Sequence, residues 1–432
     1  MIDLETMRHI VKDYQKKKPF ASFLSGIAGR QGIPMWTFYV NRGQLVAGFG
    51  IRDKNGSIME FFPANAAYEY VHTIGFRTFV KIRGETHEFF KESNKDQILE
   101  IRPDRISVLE DLKEEKIRIE VTYFTLPDEC LAGLVRKVDV ENYGSAADIE
   151  IADGLAGILP SGVDYGGYKA MSNLLQSWMQ SEITGNGAFY MLRASTADSS
   201  MVSAKESVNF FTMACKARHS YITDSRLIFN QDTALDTPYG FMDSSYEELT
   251  KKPQPGINQV PSAIGIVKLP RFHGKTTFHS VFGFADDRKK AEDFFQRINQ
   301  EYFAAKEKEN ENLHKEILTS IETHTADPKI NAYFAQNYLD NILRGGQPII
   351  FETAKGRVGY HLYSRKHGDL ERDYNFFSLA PEYYSQGNGN FRDVIQNRRN
   401  DLLFCPSLGD FNVGMFASLI QATDTIPWKS GD

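Results

Sequence analysis

Between Gln44 and Arg52, the residues Leu45, Ala47, Phe49 and Ile51 occupy alternate positions, the spacing of a strand that presents one apolar face. A second such run, 57–62, follows Asp53-Lys54-Asn55-Gly56, and an Asn-Gly pair between two strand-like runs predicts a hairpin. The same pattern predicts strands at 76–82, 97–101, 116–123, 130–142, 188–194, 207–214, 262–269 and 276–284. Before them, Leu4, Met7, Ile10 and Val11 fall at helical spacing and predict a short opening helix. Many strands with few helical windows ahead of Ala285 imply an all-β sandwich over residues 1–285.

At Ala285 the period changes. Asp286 and Asp287 can cap a helix whose apolar stripe is Phe294, Ile298 and Tyr302, and the charged run KEKENE at 306–311 reads as its solvent-facing continuation. A second helix is predicted from Pro328 through Ile330, Phe334, Tyr338, Leu339 and Ile342. It ends at Gly345-Gly346-Gln347-Pro348, where glycine supplies the cap and proline forbids continuation.

Length and composition narrow the classes. A chain of 432 residues is long enough for two cores, and 41% hydrophobic with 25% charged residues is a globular composition. The 12% of aromatic residues fits pleated, half-buried surfaces, so Trp36, Trp178 and Trp428 are expected in core positions, not as sugar platforms. A net charge of −6 without a basic block excludes a nucleic-acid footprint. Cys130, Cys215 and Cys405 lie far apart and suggest neither a disulfide framework nor a zinc site, which points to a reducing compartment. The N-terminus has no apolar core of a signal sequence and no window reaches the length of a membrane span, so the expected location is the cytoplasm, with no membrane partner.

The densest convergence of polar groups is YYSQGNGNFRDVIQNRRND at 383–401. If the stretch from Phe391 onward is helical, Arg392, Gln396 and Arg399 share one face while Asp393, Asn397 and Asn400 line its neighbour. A guanidinium fixed beside a carboxylate complements sugar hydroxyls, which donate and accept at once. A solvated loop and helix start would show the same residue types. The flanking Tyr383, Tyr384, Phe391, Val394, Ile395, Leu402, Leu403 and Phe404 favour a cluster held at the edge of an apolar core. Upstream, Asp369, Glu371 and Asp373 lie near Arg365, Lys366 and His367, which favours their ionised form and ion pairing over a general-acid role. The glycines of GNGN and NRGQ lack the strand-then-helix setting of a phosphate cradle.

The segment 32–82, NYLDNILRGGQP at 337–348, GDLERDYNFF at 368–377 and the 383–401 motif together resemble the N-terminal portion of the large inverting glycoside phosphorylases, the cellobiose phosphorylase group and its β-oligoglucan phosphorylase relatives. The resemblance implies a multidomain β-then-α architecture: a large β-sandwich (1–285), a helical linker (286–330) and an incomplete start of an (α/α)6 barrel (331–432). It implies that Arg392 and Asp393 hold the transferred glucosyl unit, with Gln396 as a further substrate ligand. It further implies reversible cleavage of a β-glucan oligosaccharide by inorganic phosphate, with inversion, to glucose 1-phosphate, and no cofactor other than that phosphate. The general acid is expected beyond Asp432, so that this chain alone is expected to be inactive. Val394-Ile395 and the arginines of Asn397-Arg398-Arg399-Asn400 depart from the pattern of the disaccharide enzymes. A non-catalytic carbohydrate-binding or assembly module, or an (α/α)6-barrel hydrolase, are the alternatives. A homodimer is a possible assembly. An unfinished barrel is also expected to expose apolar faces at Phe376, Phe377, Leu402 and Phe416.

Overall fold

The computed structural model describes residues 2–3, 7–163, 165–171, 173–193, 206–345, 347–362, 365–366, 378–379, 398–399, 401–418 and 420. The chain divides into two units, one of Met1–Ile2 with Arg8–Asn310 and one of Asp3–Met7 with Glu311–Asp432.

In chain order, β1 (Ile2–Asp3), β2 (Arg8–Lys12), β3 (Ala21–Leu24), β4 (Met35–Val40), β5 (Val46–Ile51) and β6 (Ser57–Met59) lead into helix α1 (Ala64–Ile74). Strands β7 (Phe76–Ile82), β8 (Glu85–Phe89), β9 (Gln97–Ile101), β10 (Ile106–Leu112), β11 (Ile117–Thr125) and β12 (Ala132–Leu155) follow. Then come β13 (Met179–Thr184), β14 (Gly187–Leu192), β15 (Val208–Ala214), β16 (Arg218–Ile222) and β17 (Ala263–Ala285). Strands β3 to β6 form a four-stranded antiparallel sheet, and most of the others join one large antiparallel sheet centred on β12 and β17.

Two strands of 24 and 23 residues organise that large sheet. The first half of β12 pairs with β11 and the second half with β7, while β17 runs alongside both halves. The register shifts between Asn142 and Ala147, where a bulge lets a long strand change direction. Asn142 replaces the ladder bonds lost there: its buried amide donates to the carbonyls of Ser145 (3.0 Å) and Phe272 (2.7 Å) and accepts from Gly144 N (3.0 Å).

Inward residues of these strands, among them Phe49, Phe76, Val121, Ile151, Phe211 and Phe282, make the main core. Into it is sealed a polar knot. Arg136 and Asp153, both wholly buried, meet through Nε–Oδ2 (3.0 Å) and Nη2–Oδ1 (2.6 Å). Arg136 also donates to Gln44 Oε1 (2.6 Å), Thr78 Oγ1 (2.9 Å) and the Tyr123 hydroxyl. Burial works against the Arg136 charge, yet Asp153 and Tyr123 hold it above the usual arginine range.

Several sequence expectations are corrected here. The opening is strand β2, not a helix, because Ile10 and Val11 are drawn into a ladder with β9. The hairpin expected around Asn55-Gly56 is present, β5 pairing antiparallel with β6, and its connection is a 3-10 turn at Lys54–Gly56 capped by Asp53 Oδ1, which accepts from Asn55 N (2.8 Å). The sandwich also carries helices, α1 and the short α2 (Tyr165–Met171), α3 (Asn173–Gln176), α4 (Arg226–Phe229), α5 (Tyr239–Asp243) and α6 (Tyr246–Lys251). Helices α2 to α6 have four to seven residues, too few to show a helical period, while α1 buries Ala64, Ala67 and Val71 at helical spacing, a stripe that two alanines mark only faintly. Trp36 is core, as expected, its indole N–H donating to the carbonyls of Asp53 (3.1 Å) and Ile51 (3.3 Å).

After Ala285 the expected single helix is two: α7 (Arg288–Arg297) and α8 (Gln300–Thr319). The break follows from Ile298, which is extended, and from Asn299, whose side chain accepts from Tyr302 N (2.7 Å) and starts α8 afresh. Nor is the KEKENE run a plain solvent face. Glu307 pairs with Arg105 and Lys137, Lys306 with Glu129 (3.3 Å), and Asn310 donates to Asp104 O (2.9 Å). The corner is fastened by Glu129, which accepts from Arg297 and from the Tyr302 hydroxyl (2.6 Å).

In the second unit, helix α9 (Pro328–Gly345) begins at the predicted proline. The residues after it do not continue as helix but form a hairpin, β18 (Gln347–Thr353) with β19 (Gly356–Leu362), followed by the strand pair Arg365–Lys366 with Ser378–Leu379. Further on lie the short helix Asp401–Phe404, the 3-10 turn Pro406–Leu408 and the helix Phe411–Ser418. These described elements do not include an (α/α)6 barrel. Among the described residues no helix is long and apolar enough to cross a membrane. Leu402 is exposed as expected, whereas Phe416 is buried; Phe376 and Phe377 lie outside the described residues.

Candidate functional site

The polar motif at 383–401 is described only at its end. Arg392, Asp393 and Gln396 lie outside the described residues, as do His367, Asp369, Glu371, Asp373 and Trp428. Arg398, Arg399 and Asp401 are described, and the structure separates them. Arg398 and Asp401 are almost fully buried, at 4% and 5% exposure, while Arg399 is exposed.

What draws the first two inward is a histidine on the hairpin. Gly359 and His361 share one face of β19, two residues apart. A side chain at 359 would sit 2.7 Å from the Phe411 ring and 3.0 Å from Leu408, so the bare glycine is what allows the turn 406–408 and the helix Phe411–Ser418 to lie close over that face. Their approach encloses His361 completely and brings Asn412 beside it.

Asp401 is the hub. Its Oδ1 accepts from Arg398 Nη1 (2.9 Å), and its Oδ2 lies 3.1 Å from His361 Nε2 and accepts from Asn412 Nδ2 (3.0 Å). Asn412 Nδ2 also reaches the Arg398 carbonyl at 3.4 Å. Burial pulls the Arg398 guanidinium below the usual arginine range, and the Asp401 carboxylate opposes that pull.

Chemically, this arrangement is an anchor rather than a proton donor. Both oxygens of Asp401 are engaged by protein groups, Oδ1 by Arg398 and Oδ2 by Asn412 and His361, which leaves neither turned toward a substrate oxygen. It ties residues 398 to 401, the end of the motif, to β19 and to the helix Phe411–Ser418. The sequence placed Arg398 and Asp401 in a polar cluster but did not show that they are buried, and His361 passed unnoticed. Its only local signal is the Gly359–His361 spacing, since its partner is 40 residues away.

No protein-family model matches the sequence, and no curated protein matches it. Among solved structures the chain is similar to a bacterial glucoamylase complexed with acarbose, at 9% identity and a TM-score of 0.38, over 78% of this chain and 44% of that one. It is also similar to a protein of Escherichia coli K12 described as an aldose 1-epimerase, at 6% identity and a TM-score of 0.30, over 62% of this chain and 99% of that one. The chain thus spans less than half of the glucoamylase. Likenesses of this size assign neither family nor function to it.

Proposed function

We propose that this chain carries the β-sandwich and the glucosyl-binding segment of an inverting glycoside phosphorylase, which moves a glucosyl unit from a β-glucan oligosaccharide to inorganic phosphate and gives glucose 1-phosphate. The observation that supports this reading is the buried Arg398–Asp401–His361 anchor. A glycine-rich segment bearing Arg392 and Asp393 gains nothing from such a fixed end unless its side chains must be held in place.

In this reading Arg392 and Asp393 grip the glucosyl hydroxyls as donor and acceptor, and Gln396 fills in with its amide. Phosphate attacks the anomeric carbon on the face opposite the departing oxygen, and a carboxylic acid protonates that oxygen. None of the described carboxylates is assigned the acid. Arg398, Asp401 and His361 are positioning residues.

The test uses the protein that bears this segment, supplied with cello-, laminari- and sophoro-oligosaccharides. Sugar 1-phosphate formed only when phosphate is present supports the reading, and Arg392→Ala or Asp393→Ala should cut its formation by about a hundredfold or more. Reducing sugar released equally without phosphate would make the protein a hydrolase. Saccharide binding without turnover would make it a binding module.

A further inference from the structure

In the first unit a cleft of about 270 Å³ opens between α1, β7 and the chain leaving β8. Its polar lining is His72, Arg77, Glu88, Lys91, Glu92 and Asp236. The volume lies below the range of about 300–1,000 Å³ typical of drug-sized ligands, which suits a single small ring.

Two lining residues have left-handed backbones: Gly43 at φ 51°, which glycine adopts freely, and Phe90 at φ 63°, which a bulky residue adopts only when its surroundings hold it there. One buried side chain holds both. Gln15 donates from Nε2 to Phe90 O (2.9 Å) and accepts at Oε1 from Gly43 N (2.8 Å). Behind Phe90, the buried Glu110 accepts from its backbone N–H, from Asn94 Nδ2 (2.6 Å) and from Gln97 Nε2 (3.0 Å). Gln97 in turn donates to Lys91 O (2.8 Å). Opposite, Arg77 pairs with Glu88 and donates to the carbonyls of Leu235 and Asp236 (2.5 and 2.9 Å), which pins the loop bearing Asp236. A cavity wall over-determined in this way is pre-organised.

The charges inside are nearly balanced, two cations against three carboxylates. Arg77 and Glu88 are in direct contact, but Lys91 is not: its Nζ stands 3.8 Å from Glu88 Oε2 and 3.9 Å from Asp236 Oδ1, too far for hydrogen bonds and close enough for a hydroxyl to join them. Burial lowers the His72 pKa, so its neutral ring offers one donor and one acceptor. An anion would face three carboxylates and a cation would face Lys91 and Arg77. Arg77 is already engaged by protein acceptors, and a neutral ligand rich in hydroxyls can still pair with Lys91, Asp236 and His72.

We propose that this cleft is a binding site for a neutral, polyhydroxylated small molecule of single-ring size, which binds there without help from Arg392 or Asp393. The test is saturation-transfer NMR and calorimetry on the whole chain with glucose, xylose and myo-inositol, carried out with Arg392→Ala and Asp393→Ala together so that the other segment is silent. At least one of the three polyols should bind saturably. Lys91→Ala and Asp236→Ala, whose side chains are 49% and 59% exposed, should each weaken that binding by about tenfold while leaving the melting temperature unchanged. Binding that survives both substitutions, binding abolished by the 392/393 pair alone, absence of binding by all three polyols, or preference for inorganic phosphate would each overturn the proposal. The phosphorylase reading stands or falls separately, on phosphate-dependent turnover.

Discussion

Each unit seals an arginine–aspartate pair away from water, and the two pairs have different jobs. In the first unit, Arg136 and Asp153 lie on the same strand, and their partners Gln44, Thr78 and Tyr123 come from the turn before β5, from β7 and from β11. This knot is woven through the middle of a sheet whose neighbours are already paired by ladders. In the second unit, Arg398 and Asp401 are three residues apart and reach a single strand and a single helix. The first pair fixes the register of a core that apolar contacts would assemble anyway. The second ties Arg398 and Asp401, at the end of the polar motif, to β19 and to the helix Phe411–Ser418. The same chemistry thus carries global stability in one place and local order in the other.

The largest expected effect comes from breaking the first pair alone. Arg136→Met leaves the Asp153 carboxylate sealed without its cation, and removal of one partner of a buried pair costs about 3–5 kcal/mol. Denaturant unfolding of the chain should show that loss across the whole first unit. Adding Asp153→Leu should recover most of it, because the penalty is the orphaned charge and not a missing attraction. If the double variant is as unstable as the single one, the knot contributes more than charge balance.

Much of the first unit was legible because a strand declares itself locally. The alternation in β5, β7 and β9 sits in a few consecutive residues, and the change of period at Ala285 marks the end of β17. Short helices such as α4 and α5 were not legible, because four or five residues cannot show a helical period. The α7–α8 break was hidden because Phe294, Ile298 and Tyr302 keep helical spacing across it, while the deciding event is the Asn299 side chain capping a new helix. In the candidate site the residue types were legible and their directions were not. Arg398 and Arg399 look alike in sequence, and what sorts them is His361, brought in by a hairpin that the sequence did not announce.

An intermediate effect is expected from pH, and it belongs to the first unit. Burial pushes the Glu110 carboxyl from 4.5 up to about 7, against hydrogen bonds from Gln97, Phe90 and Asn94. The fold therefore favours its protonated form: that stabilisation is complete below pH about 4.5 and is lost as pH rises through about 7. His279, stacked on Phe303 at 4.8 Å, runs the other way, since burial and the neighbouring Lys137 lower it from 6.5 to about 3. The fold favours its neutral form, so stability is intact above pH about 6.5 and falls as pH drops toward about 3. Between about pH 4.5 and 6.5 the two effects oppose each other and stability of the first unit should be nearly flat, falling below about pH 4.5 through His279 and slightly above about pH 6.5 through Glu110. Thermal melts across pH check this: His279→Gln should flatten the acid arm and uncover a decline that begins at about pH 4.5 and continues to about 7.

The smallest effects test the second pair, and they separate two neighbouring residues of one motif. Asp401→Asn keeps the shape but removes the negative charge facing Arg398 and turns an amide donor toward the donors of His361 or Asn412, which should cost about 1–3 kcal/mol. Because the described contacts of the network lie in β19, at residues 398 and 401 and in the helix Phe411–Ser418, hydrogen exchange should quicken in those elements and stay unchanged in β12 and β17. Arg399→Ala, one position from the buried arginine but exposed, should change stability by less than about 0.5 kcal/mol. If Arg399→Ala speeds exchange as much as Asp401→Asn does, the anchor is not the Arg398–Asp401–His361 contact, and the motif is held by some other part of its length. If neither does, the segment bearing Arg392 and Asp393 has no fixed end, and the physical support for placing a sugar there is gone.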